Sequence, residues 1–242
     1  PNILNVFTND TLNNIAVNPA EVTLITVIPN NNLILNSDGS VDVLPGTPQG
    51  IYELTYQICE NAVPGNCDQA VVSITVALPR MANSAPNLFR TINCDDTVFS
   101  VNPLLTVTIN DQPVSIDKVT IKLIAGINSS ITLDDTGSVN IANGLPVGNY
   151  KLLYQVCEKL NPDNCITGFI TITVQDINKP VFAQLPEPKT ISCDEPVVFE
   201  PAIATDTCSS VTLTHEDVTV LGSCPGSSTI TRTWTATDAS GN

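Results

Sequence analysis

Eight cysteines and a single histidine are the side chains from which a nucleophile, a redox pair or a soft-metal site would be assembled in this chain of 242 residues. A Ser/His/Asp or Cys/His nucleophile needs an orienting base, and His215 is the sole imidazole. It stands in Thr-Leu-Thr-His-Glu-Asp, an alternating stretch running into a turn, with no glycine-rich elbow near any serine. His215 therefore reads as a solvent-facing residue at a strand end. Adjacent carboxylates occur at Asp95-Asp96, Asp134-Asp135 and Glu216-Asp217. Neighbours on a strand point to opposite faces, so these pairs cannot flank one scissile bond. They read as turns and edge protection. No phosphate loop or dinucleotide fingerprint is present. Trp234 alternates with Thr and reads as a core residue, with sugar stacking as its other use. An enzyme is not expected.

The cysteines point to covalent structure. Cys59 and Cys67 bracket seven residues that include Pro64-Gly65-Asn66, and Cys157 and Cys165 bracket seven that include Asn161-Pro162-Asp163-Asn164. Zinc sites pair cysteines about two to four residues apart and commonly add histidine, so zinc fits poorly. The spacing predicts two hairpin disulfides, each closing a loop worth roughly 2–3 kcal/mol. Cys208 and Cys224 are expected to pair with each other. Cys94 and Cys193 occupy equivalent places in successive repeats and should not bond to one another. Their partners lie in their own repeats, across a junction or outside this sequence, and the sequence does not choose. Such cysteine usage, beside a single Met, belongs to an oxidising compartment.

The elements that hold these residues come in repeats. Gly50-Ile-Tyr-Glu-Leu-Thr-Tyr-Gln-Ile-Cys59 recurs as Gly148-Asn-Tyr-Lys-Leu-Leu-Tyr-Gln-Val-Cys157, at an offset of 98 that also relates Gly39-Ser40-Val41 to Gly137-Ser138-Val139. Nearer the start the offset is 101, pairing Asn9-Asp10 with Asn110-Asp111. Thr91-Ile92-Asn93-Cys94-Asp95-Asp96 recurs as Thr190-Ile191-Ser192-Cys193-Asp194-Glu195 at an offset of 99. A period near 100 residues suits one immunoglobulin-sized sandwich. The predicted domains are residues 1–78, 88–175 and 181–242. The first is expected to be incomplete at its N-terminal side and the third at its C-terminal side, as in a piece of a longer array.

Tyr52, Leu54, Tyr56 and Ile58 fall on one face, as do Tyr150, Leu152, Tyr154 and Val156, and the following strands alternate through Val72, Ile74, Val76 and Ile170, Ile172, Val174. Period two with one polar face predicts antiparallel sheets packed on one side. The fold class is thus all-β: tandem immunoglobulin-like or cadherin-like sandwiches. Linkers at 78–87 and 176–180 are short and contain Pro, which predicts an extended, semi-rigid rod. Asp176 and Asn178 stand before Pro180, where oxygen ligands would form a calcium cage at the joint. A plain capped turn is the other reading of the same residues. No other cofactor is expected.

A net charge of −15 with nine Lys+Arg argues against nucleic acid and against an anionic membrane surface. No run approaches the ~18 apolar residues of a membrane span. The acidity reads as solubility and mutual repulsion.

The run Pro-x-Gly-x-Tyr-x-Leu-x-Tyr-Gln-[Ile/Val]-Cys-Glu, closed by Asn-Cys, resembles the repeats of giant Bacteroidetes cell-surface adhesins, including the gliding-motility adhesin of flavobacteria. The lead-ins Val6-Phe7-Thr8-Asn9-Asp10-Thr11 and Leu35-Asn36-Ser37-Asp38-Gly39-Ser40-Val41 are similar to the same repeats. Ala204-Thr-Asp-Thr-Cys208, Gly222-Ser-Cys-Pro225 and Thr231-Arg-Thr-Trp-Thr-Ala-Thr-Asp-Ala-Ser-Gly-Asn242 resemble a hyalin-like module. Many relatives carry Cys where Ser240 stands here, which leaves the partner of one cysteine of this module open. The resemblance implies type IX secretion, an extracellular cell-surface location, and a part in adhesion or gliding. The implied partners are neighbouring repeats, the secretion and motility machinery, and an external surface or polysaccharide. It also implies O-glycosylation at Asp-[Ser/Thr]-apolar sequences, which makes Thr11 and Thr97 candidates; two Thr in ordinary turns is the alternative. The expected function is a structural and adhesive stalk. The rivals are a polysaccharide- or protein-binding module and an accessory region of a secreted hydrolase.

Overall fold

The computed structural model describes residues 2–96, 99–126, 128–142 and 144–242. The first repeat holds β1 (Asn2–Asn5), β2 (Thr11–Leu12), β3 (Ile15–Ala16), β4 (Val22–Ile28), β5 (Leu33–Leu35), β6 (Ser40–Val43), β7 (Gly50–Glu60) and β8 (Cys67–Val76). The second holds β9 (Met81–Asn83), β10 (Asn87–Asn93), β11 (Phe99–Val101), β12 (Val107–Ile109), β13 (Gln112–Pro113), β14 (Val119–Ala125), β15 (Ile131–Leu133), β16 (Val139–Ile141), β17 (Gly148–Glu158) and β18 (Cys165–Gln175). The third holds β19 (Val181–Gln184), β20 (Ile203–Thr205), β21 (Val211–Leu221) and β22 (Ser228–Asp238). The chain is all-β, in tandem antiparallel sandwiches.

Two compact units emerge. One comprises Pro1–Asn83, Val107–Thr120 and Val156–Ile166; the other comprises Ser84–Thr106, Ile121–Gln155 and Thr167–Asn242. The second repeat thus contributes to both.

In the first unit, sheet β1-β6-β5 faces sheet β4-β7-β8. Alternation along β7 turns Leu54 and Tyr56 inward, where they meet Val72 and Ile74 from β8, Leu33 and Val41 from the opposite sheet, and Phe7 from the short 3-10 turn Val6–Thr8. Burying a side chain of this size stabilises by about 1.5–3 kcal/mol. The repeated Asp/Gly/Ser signatures are turns. Gly39 and Gly137 hold φ of 82° and 84°, and a Cβ at Gly39 would stand 2.6 Å from Phe7 Cε2.

Beside that turn the repeats share a hydrogen bond with its partners exchanged. Asn36 Nδ2 donates to Asp42 Oδ2 at 2.9 Å in the first, and Asn140 Nδ2 donates to Asp134 Oδ2 at 2.8 Å in the second. Asp134 Oδ1 also accepts from the Thr136 hydroxyl and from the Thr136 and Ser138 N–H groups. The Thr136 hydroxyl, then Asn140 and the backbone donors, hold the Asp134 carboxyl down at about 2. A depressed folded pKa contributes stability above the ordinary carboxylate range, and that contribution disappears as pH falls through the folded value. Between pH ~4 and ~2 the wild-type chain should therefore lose stability more steeply than Asp134→Asn. Urea-unfolding midpoints measured across that range check this; parallel curves would refute it.

In the second repeat the larger sheet runs β10-β18-β17-β14 and the smaller β11-β16-β15. The sequence predicted antiparallel pairing throughout, yet β10 joins β18 in parallel, Asn87 opposite Phe169 through Asn93 opposite Gln175. A parallel neighbour requires a long crossover, and the intervening body of the repeat supplies it. The expected linker at 78–87 is also partly strand, because β9 pairs antiparallel with β12.

The β10 lead-in explains a glycine. Phe169 N–H donates to Pro86 O at 2.6 Å, and a Cβ at Gly168 would stand 2.6 Å from that same carbonyl while colliding with the Tyr154 ring and hydroxyl. The corresponding residue of the first repeat, 98 earlier, is Ala70 on β8. No strand lies on the outer edge of β8 among the described residues. Gly168→Ala should cost about 1–3 kcal/mol by overpacking, whereas Ala70→Gly should cost no more than about 1 kcal/mol. Chemical denaturation of the two variants separates them.

The third repeat consists of two antiparallel pairs, β19-β20 and β21-β22. Residues 185–202, between β19 and β20, carry no strand. On the hairpin, Trp234 is half-buried against His215, ring centroids 5.1 Å apart, with the Arg232 guanidinium 5.6 Å from its ring. His215 itself is exposed.

Candidate cation site at the second linker

Asp176 follows the last residue of β18 and points inward, 7% exposed. Its Oδ2 accepts from Ser209 Oγ at 2.8 Å and Ser240 Oγ at 3.3 Å, and its Oδ1 accepts from the Asn178 N–H at 3.1 Å. Its carbonyl accepts from Asn242 Nδ2 at 3.1 Å. The linker thus brings the end of the second repeat against two turns of the third.

Asp206 opens the turn after β20. Its Oδ1 caps that turn, accepting from the Cys208 and Ser209 N–H groups at 2.7 and 3.0 Å. Its Oδ2 is shut off from solvent and has no hydrogen-bond partner. A carboxylate oxygen of Asp176, one of Asp206 and Cys208 Sγ lie within 4.8 Å of one another. Burying an unpartnered carboxylate oxygen beside a second carboxylate is costly unless positive charge compensates it.

Asp95 joins the cluster through Asn178. Its Oδ2 accepts from Asn178 Nδ2 at 2.9 Å, and the same amide donates to Thr207 Oγ1 at 3.0 Å. Asn178 Oδ1 in turn accepts from Asn93 Nδ2 at 3.0 Å. Asn178 is therefore a clamp between the loops, with its amide nitrogen turned toward the acids. Asp238, 6% exposed, closes the last turn: the Ser240 and Asn242 N–H groups each donate to Oδ1 at 2.9 Å, and Asn242 Nδ2 donates to Oδ2 at 3.0 Å. Burial pushes its carboxyl up, but these donors outweigh burial and hold it below the usual range. The amides, hydroxyls and backbone N–H groups that donate to these four aspartates are all neutral.

A disulfide joins Cys94 to Cys208 in the middle of this cluster, Cα atoms 5.8 Å apart. The expected Cys208–Cys224 bond is corrected by this: Cys208 sits in the turn that packs on the linker, while Cys224 lies at the far end of the β21–β22 hairpin. Bonded sulfurs offer no thiolate, so a soft metal has no ligand here. Oxygen donors remain. Three carboxylates and the surrounding hydroxyl oxygens suit a hard cation such as calcium. Of the residues gathered at this junction, sequence reasoning named Asp176 and Asn178, the latter as an oxygen ligand although its amide nitrogen faces the acids, and missed Asp95, Asp206, Ser209 and Ser240. The signal was there in part: Asp95 adjoins one unassigned cysteine, and Asp206 stands two residues before another.

The hairpin disulfides Cys59–Cys67 and Cys157–Cys165 are present in matching form, Cα atoms 4.1 Å apart in each. Beside each, an Asn preceding the second Cys donates to the Glu following the first: Asn66 to Glu60 Oε2 at 3.0 Å and Asn164 to Glu158 Oε2 at 3.1 Å. In the second repeat this loop also meets the first. Buried Asn161 accepts from the Gln49 N–H at 2.6 Å and donates to Glu158 Oε2 at 2.8 Å, and Asn164 Nδ2 donates to Pro79 O at 3.0 Å.

A separate polar cleft of ≈ 520 Å³ in the first repeat is lined by Asp10, Tyr56, Glu60 and Asp68 among others. Tyr56 donates to Asp10 Oδ2 at 2.9 Å; burial first, then Asp10, pushes its hydroxyl up to about 12. Thr11 is exposed on the β2–β3 hairpin. Thr97 lies outside the described residues. Among the described residues no helix is long and apolar enough to cross a membrane.

No family model and no curated protein matches the chain. Solved structures to which the chain is similar include EC22–24 of mouse cadherin-23, at 18% identity and a TM-score of 0.33, covering 65% of this chain and 53% of that one. Another is the protocadherin gamma B7 extracellular cadherin domains 1–4, at 17% identity and a TM-score of 0.36, covering 90% and 58%. A third is an endo-fucoidan hydrolase of glycoside hydrolase family 107, at 14% identity and a TM-score of 0.31, covering 65% and 24%. The chain therefore spans about half the length of the first of these.

Proposed function

We propose that this chain is a set of non-catalytic, extracellular structural repeats of a surface adhesin, spacing and presenting a binding region, with its second junction stiffened by calcium. The observation that carries the reading is the tying of successive repeats to one another. Partly buried hydrogen bonds from the Cys157–Cys165 loop hold the first to the second, and the Cys94–Cys208 disulfide fastens the second to the third. A spacer that transmits force needs such joints, and a catalytic domain does not. Three disulfides support an oxidising, extracellular setting.

At the second junction Asp176, Asp206 and Asp95 would hold the cation, and Asn178 would clamp the two loops that carry them. Calcium would offset the repulsion among the carboxylates and give the orphaned Asp206 oxygen its partner. The resemblance of the Tyr-Gln-[Ile/Val]-Cys-Glu repeats supports a place in gliding or surface attachment after type IX secretion. It also supports O-glycans on Thr11 and Thr97, which an intact mass above that of the bare sequence would reveal.

Calorimetric titration of the oxidised, chelator-treated chain tests the calcium reading. One class of site with Kd in the range of about 10⁻⁴–10⁻³ M, as in extracellular modules, is expected, together with a calcium-dependent rise in Tm. No heat and no change in Tm would refute it.

A further inference from the structure

We propose that Cys193 and Cys224 form a fourth disulfide, which clasps the strandless segment 185–202 onto the tip of the β21–β22 hairpin. Both thiols are free and exposed as they stand. They are nevertheless held close to one another. Cys193 Sγ lies 3.6 Å from Gly226 O, two residues from Cys224.

Each cysteine sits in a defined turn. Ser192 and Glu195 close the first, the Glu195 N–H donating to Ser192 O at 3.1 Å and the Ser192 N–H to Glu195 Oε2 at 3.3 Å. Ser227 closes the second, its N–H donating to Cys224 O at 3.1 Å and its hydroxyl to the same oxygen at 2.8 Å, with Gly226 at φ 84°. An open cleft of ≈ 330 Å³ along Leu221–Ser228 leaves the Cys224 side chain room to rotate.

A second contact fixes the register. Phe199 packs on the Arg232 guanidinium, 4.1 Å from the ring centroid. Phe199 lies six residues beyond Cys193 and Arg232 six beyond Gly226, so the two contacts are in step and hold Cys193 beside the hairpin tip. Cys208, the other partner open to Cys224, is already bonded to Cys94.

The bond forms by thiol–disulfide exchange with a disulfide oxidant such as oxidised glutathione or an oxidised dithiol protein. One thiolate attacks the oxidant to give a mixed disulfide, and the second displaces the oxidant's sulfur. The two cysteines lose two electrons and two protons, and the oxidant leaves as its reduced thiols.

The test uses the full chain refolded with oxidised glutathione, alkylated after denaturation without reductant and weighed intact. No mass gain is expected, and a non-reducing digest should contain one peptide pair joining Cys193 to Cys224. Cys193→Ser should then leave Cys224 without a partner in the chain, as one alkylatable thiol or as its mixed disulfide with glutathione, with the other three disulfides unchanged. Two alkylated thiols in the wild-type chain, a Cys208–Cys224 link, a covalent dimer through either residue, or a Cys224 bonded to another cysteine of the chain in Cys193→Ser would each overturn the proposal.

Discussion

Asp206→Asn should remove the calcium-dependent part of the chain's stability while leaving the fold intact. The turn that Asp206 caps uses only Oδ1, which accepts from the Cys208 and Ser209 N–H groups, and an amide oxygen can do the same. What changes is Oδ2, the buried oxygen without a partner. An amide there carries no charge, so affinity should fall at least about tenfold, or 1.4 kcal/mol. At calcium about a hundredfold above Kd, a bound site stabilises by about 2.7 kcal/mol, and most of that should be missing from the variant. In chelator the sign should reverse. With one of two neighbouring carboxylates neutralised, the variant should melt at or above the wild type. Thermal melts with and without calcium separate this from simple structural damage, which would lower Tm in both conditions.

The second large effect concerns Cys94–Cys208. The bond closes 114 residues of chain, a loop length at which the chain-entropy model assigns about 4–5 kcal/mol. Cys94→Ala/Cys208→Ala should lose a stability of that order in chemical denaturation, and replacing both avoids leaving a stray thiol. The same variant should bind calcium more weakly, because Asp95 and the Asp206 turn are held together through the bond between their neighbours. Hairpin variants should behave differently. Cys59→Ala/Cys67→Ala opens a loop of only eight residues' separation and should cost roughly 2–3 kcal/mol, with no effect on calcium. Equal losses from the two pairs would contradict this account.

Local chemistry was readable residue by residue. Alternation at Tyr52, Leu54, Tyr56 and Ile58 assigned the strand and its buried face, because side chains on a strand alternate faces with a fixed period. The offset of 98 placed the same strand, turn and cysteine pair twice. The loop between Cys157 and Cys165 is short enough that its ends have no other sensible arrangement.

The misses share one cause. The parallel pairing of β10 with β18, the bond from Cys94 to Cys208, and the gathering of Asp176 with Asp206 and of Asp95 with Asn178 all join residues far apart in sequence. Gly168 reads as an ordinary strand glycine until Pro86 is seen passing over it.

The sequence by itself determined the all-β class, the repeat, the faces of the long strands and the two hairpin clasps, since each follows from backbone periodicity or from a short loop's limited reach. Only the tertiary structure decided which distant cysteine Cys208 meets and which acids share the second junction. Those contacts depend on how packed sheets bring separate loops together, and spacing along the chain carries no record of that.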